Sequence, residues 1–234
     1  MFLKDKVVLV TGGSSGIGYA IAEMAKNKGA NVIIAARNRE RLDKAAKELS
    51  AIPVLCDVGN EKHVIECYDR IMKEFGKLDV LINNAAYGYF SLIDEFEKDK
   101  FEDVINTNVI GAALMAKYAA RIFKKQNSGN IVNISSTAGT KGFEGGTPYV
   151  ATKFALKGMS ECWRAELRKY NVRVIHVNPS EVQTRFAQNA GGGKREFNET
   201  KLISEDIAHA VISALEMHDR GFITELTVFA TNPK

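Results

Sequence analysis

The chain has 234 residues, 45% of them hydrophobic and 26% charged, which suits one compact domain with a sizeable core and is too short for two substantial ones. Its formal net charge of +4 arises from 32 basic and 28 acidic side chains mixed along the sequence, so no basic arm for nucleic acid is expected. No run approaches the roughly 18 apolar residues of a membrane span and the start lacks a signal-peptide core, while Cys56, Cys67 and Cys162, without CxxC spacing, suggest reduced thiols and a cytoplasmic location.

In chain order, an apolar run at 6–10 predicts a first strand, followed by a glycine turn and a helix over 16–28. Strands at 31–35, 52–55 and 78–82 alternate with helices at 38–50 and 60–75. A long helical stretch at 99–126 leads to a strand at 130–134, another at 149–170 leads to a strand at 172–177, and a helix at 204–217 precedes a last strand at 223–229. The runs are almost continuously apolar, as strands covered on both faces must be. Each later helix is long enough for a parallel crossover. The alternation predicts a single doubly wound α/β domain with a seven-stranded parallel sheet flanked by helices, its ligands lying beyond the carboxyl ends of the strands. The stretch from Thr184 to Thr200, around Gly191-Gly-Gly193, reads as a mobile loop.

Between the first strand and helix stands Thr11-Gly-Gly-Ser-Ser-Gly-Ile-Gly18. Gly12, Gly16 and Gly18 let the backbone, with Ser14, Ser15 and Ile17 in the same turn, approach the pyrophosphate of a dinucleotide at a helix N-terminus. Folds that prefer NAD place an acid about 20 residues further on, to bind ribose hydroxyls. Here the sequence is Ala35-Ala-Arg37-Asn38. With no carboxylate to repel it, a 2'-phosphate can be met by Arg37, with Asn38 and Ser14 as supplementary donors, which favours NADP(H).

Tyr149 and Lys153 are four apart in a stretch of helical period, so both lie on one helix face. A free phenol, with a pKa of about 10, relays protons slowly near neutrality. The neighbouring ammonium and the positive nicotinamide ring are expected to favour the phenolate and lower that value. Four scattered histidines show no ligand spacing, so no metal site is expected.

The TGxxxGxG turn, Asn83-Asn-Ala85, Asn108, Ser136, Tyr149-Val-Ala-Thr-Lys153 and Asn178-Pro-Ser-Glu-Val-Gln-Thr184, in this order, resemble the short-chain dehydrogenase/reductase family over essentially the whole chain. The resemblance implies a Rossmann-type fold and assigns roles. Tyr149 would be the proton donor, and Lys153 would reach the nicotinamide ribose. Ser136, thirteen residues ahead of Tyr149 and matching the family's Ser-x-x-Gly better than Ser135, would donate to the substrate oxygen. Asn108, in preference to Asn106, would hold a water leading from the lysine to solvent. Asp57 and Val58 would border the adenine, Asn84 and Ala85 would line the ribose side, and Pro179, Val182 and Thr184 would receive the nicotinamide carboxamide. Ala86 and Ser180 stand where the family commonly has glycine.

The expected function is NADPH-dependent reduction of a ketone or aldehyde, or the reverse alcohol oxidation, by direct hydride transfer. A 3-oxoacyl-acyl-carrier-protein reductase is the alternative. For it, Lys124-Lys125 and Arg168-Lys169 could meet an acidic carrier; against it, the end of the chain lacks Val-Asp-Gly-Gly. Cations at helix C-termini are favourable without any partner. A non-catalytic NADP-binding sensor is disfavoured by the intact Ser136, Tyr149 and Lys153, and an epimerase by the short chain. The 184–200 segment is expected to close over the substrate, with Phe186 and Phe197 as anchors on either side of the glycines. Apolar residues around much of the 149–170 helix suggest a homodimer or homotetramer built on the two long helices.

Overall fold

The computed structural model describes residues 3–186, 190, 191, 193 and 196–233. The middle of the expected loop, including Gly192 of the glycine triplet, lies outside the described residues. Seven strands form one sheet in the order β3-β2-β1-β4-β5-β6-β7, every neighbouring pair parallel. They are β1 (Val7–Thr11), β2 (Asn31–Ala36), β3 (Ile52–Leu55), β4 (Val80–Asn83), β5 (Gly129–Ile134), β6 (Val172–Pro179) and β7 (Glu225–Val228). The order reverses between β1 and β4, opening a crevice at their carboxyl ends where such sheets bind ligands. Helices α1 (Gly16–Asn27), α2 (Arg39–Leu49), α3 (Glu61–Phe75), α4 (Lys98–Ile105), α5 (Ala112–Gln126), α6 (Thr147–Leu167) and α7 (Ser204–Leu215) complete the crossovers.

The period of two in each strand divides the core between the sheet's faces. Val8, Val10, Val32 and Ile34 pack with Ile21 and Ala25 of α1, Leu42 of α2 and Val211 of α7. Val7, Leu9, Ile33 and Ala35 pack on the other side with Val64 and Ile71 of α3 and Met115 and Phe123 of α5. Both faces are covered, which is why the strands are apolar without polar alternation. No helix among the described residues is long and apolar enough to cross a membrane.

The helix expected over 99–126 is interrupted. Asn106–Gly111 winds as a π-helix between α4 and α5. At Gly111 a Cβ would come within 2.5 Å of Val58 Cγ2, so the wider turn sits where the helix must pass close to the loop after β3. Such π segments recur at functional positions. The 149–170 stretch likewise ends early, with a 3₁₀ turn over Arg168–Tyr170 after α6.

Behind the crevice a buried polar chain ties β4, β5, β6 and α6 together. Asn83 Nδ2 donates to Asn133 Oδ1 at 3.0 Å, Asn133 Nδ2 donates to Ser160 Oγ at 2.8 Å, and Ser160 Oγ donates to the Leu156 carbonyl at 2.7 Å. Ser160 has then spent its proton, so His176 Nδ1, 3.0 Å away, must carry the hydrogen of their bond. Burial, helped by the nearby Lys153, Lys157 and Arg164 against an opposing Glu225, pushes the imidazole down to about 4, and it stays neutral. Unfolding releases it to an ordinary histidine of pKa about 6.5. Between those values the unfolded chain binds the extra proton, so stability falls as the pH falls through this window. From pH 7 to pH 5 this group alone should cost about 2 kcal/mol. Urea unfolding at the two pH values should show a dependence shallower by about that amount in His176→Gln; equal slopes for the two proteins would exclude His176 as the cause.

Candidate active site

The glycine turn after β1 is packed more tightly than flexibility alone would need. Gly12 has φ +65°, and a Cβ there would lie 2.8 Å from Asn84 Nδ2 and 3.0 Å from Ala85 Cα. At Gly18 a Cβ would lie 2.4 Å from Asn84 Nδ2 and 2.6 Å from the Gly12 carbonyl oxygen. Asn84 Nδ2 donates to the Thr11 carbonyl at 2.9 Å, while Thr11 Oγ1 donates to Ile82 O and accepts from the backbone N–H groups of Asn84 and Ala85. The turn and the end of β4 are thus one unit. Gly16, at φ +57°, has open space apart from Thr184 at 3.5 Å. Ser15 is the N-cap of α1 but makes no capping bond through its side chain. With Ser14 half-buried and Ile17 packed on the core, the helix N-terminus remains open to an anion.

Sequence reasoning missed two members of this unit. Thr11 was legible only as part of the glycine motif, although it holds β4. Gly13 is required because a Cβ would meet Ile34 Cγ2 at 2.7 Å, a contact with β2 that has no local signature.

Arg37, just beyond β2, is exposed, with its guanidinium carbon 5.9 Å from the centre of the Tyr87 ring. Asn38 caps α2, its Oδ1 accepting from Arg41 N–H at 2.9 Å, so only its amide hydrogens remain as donors. Asp57 Oδ1 accepts from Gly59 N–H at 3.1 Å, and Val58 is buried. Ala86 is absent from the residues with positive φ, so the methyl in place of the family's glycine fits this turn. Pro179 ends β6, Val182 forms an isolated bridge with Leu202, and Thr184 brings the following segment against Gly16.

Ser136, Tyr149 and Lys153 come together at the carboxyl ends of β5 and β6. Ser136 lies close enough to Tyr149 to favour its ionised form, and its Oγ accepts from Ala138 N–H at 3.1 Å. Ser135 is turned away, its buried Oγ without a partner. Lys153 Nζ donates to the Ile134 carbonyl at 3.1 Å and lies 5.5 Å from the centre of the Tyr149 ring. The expected lowering of the phenol's pKa is not seen here. Burial dominates: it holds Tyr149 well above the ordinary phenol range against the opposing effect of Ser136, and pushes Lys153 down to about 8. The arrangement keeps the phenol protonated, the form a proton donor needs.

Asn108 lies in the π segment. Its Nδ2 donates to the Tyr87 carbonyl at 2.9 Å and to Thr152 Oγ1 at 3.2 Å, and its Oδ1 accepts from Tyr87 N–H at 3.1 Å. Both amide hydrogens are therefore spent inside the protein, and a water as expected from the sequence would find only the oxygen. Asn106 lies against Gly59 on the surface.

The segment after β6 differs from expectation at one anchor. Phe186 packs on Tyr149 with ring centres 5.5 Å apart, but Phe197 is 71% exposed. The far anchor is polar. Gln183 Nε2 donates to the Asn198 carbonyl and Gln183 Oε1 accepts from Asn198 N–H, both at 2.7 Å. A paired amide–backbone contact leaves no role for the phenylalanine.

The basic pairs at the ends of α5 and α6 lie by the amino ends of β5 and β6, opposite the site. Lys124 and Lys169 point onto the Tyr170 ring, 5.5 and 5.4 Å from its centre. No carrier is needed to account for them.

Residues 6–194 match the family model described as short chain dehydrogenase. The chain belongs to the short-chain dehydrogenase family. It is an oxidoreductase of that family. It is 35% identical over 229 residues to an uncharacterized oxidoreductase of Staphylococcus aureus (strain USA300), covering 97% of each chain. Among solved structures of family proteins, it resembles an alcohol dehydrogenase from the archaeon Thermococcus sibiricus complexed with 5-hydroxy-NADP, at 27% identity and a TM-score of 0.90, over 99% of this chain and 100% of that one. The closed form of a serine dehydrogenase complexed with NADP+ is similar at 29% identity and a TM-score of 0.90, over 95% and 94% of the two chains.

Proposed function

We propose that this protein is an NADPH-dependent reductase that converts a ketone or aldehyde to an alcohol, with Tyr149 as proton donor. The observation that carries this is the buried Tyr149 and Lys153, with the half-buried Ser136, at the carboxyl end of the sheet that also carries the glycine turn. The turn fits a dinucleotide: Gly12 and Gly18 leave no room for a side chain, the α1 N-terminus is open, and no acid follows β2. NADPH, when bound, supplies the hydride. Gly12, Ser14, Ser15, Gly16, Ile17 and Gly18 hold the pyrophosphate. Asp57, Val58, Asn84 and Ala85 line the adenosine side, and Pro179, Val182 and Thr184 the nicotinamide side.

Tyr149, neutral through burial, gives its proton to the carbonyl oxygen. Ser136 donates a hydrogen bond to that oxygen as negative charge develops. Lys153, fixed on the Ile134 carbonyl, reaches the ribose and compensates the charge left on the phenol oxygen. Asn108 is a positioning residue, holding Tyr87 and Thr152 around this group.

Residues 1–234 act as one catalytic domain, and the 184–200 segment closes over the substrate. Copies associate through the long helices; an apolar hollow of about 380 Å³ beside Phe96, Phe101, Ile105 and the exposed Ile110 supports such a contact. The three thiols are unpaired, in keeping with the cytoplasm.

Arg37 selects NADPH through its 2'-phosphate. A charge-assisted contact is worth about 1.5–3 kcal/mol, more than tenfold in affinity. Fluorescence titration should therefore give a far lower Kd for NADPH than for NADH, and Ala36→Asp with Arg37→Ala should reverse the order. Equal wild-type constants for the two cofactors would remove Arg37 from that role.

A further inference from the structure

Two phenylalanines from two loops pack on Tyr149, and a third, from another loop, packs on the first of them. Phe90, after β4, meets its ring edge-on with centres 5.4 Å apart, and Phe186, after β6, lies 5.5 Å away. Phe143, after β5, is 6.1 Å from Phe90. The loops are fitted to one another by their backbones. Ser91 N–H donates to the Gly145 carbonyl at 2.8 Å, joining the loops after β4 and β5 and leaving that after β6 as the third. The third lands at Gly88, where a Cβ would be 2.9 Å from Phe90, 3.0 Å from Phe186 and 3.1 Å from Ala190. Tyr149 is left 7% exposed, while Phe90 and Phe143 keep 39% and 52% of their surface open.

We infer that the substrate is a ketone carrying a neutral aryl or comparably apolar substituent, selected by Phe90 and Phe186. This rests on the carbonyl-reducing function proposed above. With Tyr149 7% exposed and two of these rings packed on it, a substrate approaching it meets aromatic walls and has to replace the contacts it disturbs. An aromatic substituent replaces ring by ring and also covers the open faces of Phe90 and Phe143. A carboxylate or a polar thioester arm would lose hydration against aromatic walls without gaining a partner. The ammonium that touches the cluster, Lys153, is bonded to the Ile134 carbonyl and, on the function proposed above, committed to the ribose and the phenol oxygen.

Phenylacetone and acetoacetate share the reacting methyl ketone and differ in a ring against a carboxylate, which makes them the discriminating pair. With NADPH, kcat/KM should be at least roughly tenfold higher for phenylacetone. That ratio should fall roughly three- to tenfold in Phe186→Ala and in Phe90→Ser, whereas Phe90→Leu, which keeps apolar surface, should retain most of it. Calorimetric titration of each ketone into the protein saturated with NADP+ gives a readout independent of turnover, and phenylacetone should bind more tightly. Tighter binding of phenylacetone with no turnover of either ketone would uphold the aromatic selection and overturn carbonyl reduction. Turnover of both with acetoacetate equal or preferred would overturn the selection and leave the reduction standing. Binding of neither ketone to the NADP+-loaded protein would also overturn the selection.

Discussion

Replacing Tyr149 by phenylalanine is expected to lower kcat by roughly 10²- to 10⁴-fold, the range a positioned general acid contributes. The change removes one oxygen from a ring whose packing against Phe90 and Phe186 is unaltered, so the NADPH Kd and the melting temperature should move little. Burial is the reason for expecting the large end of the range. The phenol is held protonated far above neutrality, so the proton to be given is in place, and a site this enclosed admits little water to substitute for it. Stopped-flow measurement of NADPH oxidation beside fluorescence titration of the cofactor separates the two effects. If the phenylalanine variant kept most of its kcat, the proton would have to come from another group.

Substituting alanine for Gly18 should destabilise the protein by about 1–3 kcal/mol, as overpacking does, and weaken NADPH binding more than tenfold. The methyl would fall 2.6 Å from the Gly12 carbonyl oxygen, a backbone atom, as well as on the Asn84 amide. The turn can yield only by moving its own backbone, and that backbone is the surface offered to the pyrophosphate. Gly16 provides the contrast. Its φ of +57° requires a left-handed backbone but its surroundings are open, so Gly16→Asn, a residue that tolerates that conformation, should cost less than Gly18→Ala on both counts. Urea unfolding and cofactor titration of the two variants measure this; a milder Gly18 variant would mean that the turn relaxes around the methyl group.

Much of the sheet was legible because both of its faces are covered. A strand that must be apolar on each side announces itself by a continuous run, and the lengths between runs dictate parallel crossovers. The glycine turn and the Tyr149–Lys153 pair were legible for a similar reason, since both are local in sequence. What stayed hidden depends on partners distant in the chain. Nothing local in Asn106-Thr-Asn-Val-Ile-Gly111 announces the wider turn, and only the approach of Val58 to Gly111 marks the place of the π segment. Gly13 looks like any loop glycine until β2 brings Ile34 beside it. Phe186 and Phe197 are indistinguishable as letters, and the Gln183–Asn198 pairing settles which of them turns inward. The pKa of Tyr149 was misjudged because four-residue spacing reports the distance to a charge but not the loss of solvent around it.

The Gln183–Asn198 pairing also has an evolutionary consequence. Because one amide closes the base of the segment with both its oxygen and its nitrogen, the Val182–Leu202 bridge is held beside a clasp of its own, independent of what the chain carries beyond Gln183. Lengthening a tethered loop is thermodynamically cheap, about 0.6 kcal/mol per doubling. Insertions, deletions and wholesale exchange there are absorbed without disturbing the sheet or the helix that follows. A gene of this kind can therefore vary the residues beyond Thr184, Phe186 among them, while the glycine turn and the sheet are inherited untouched.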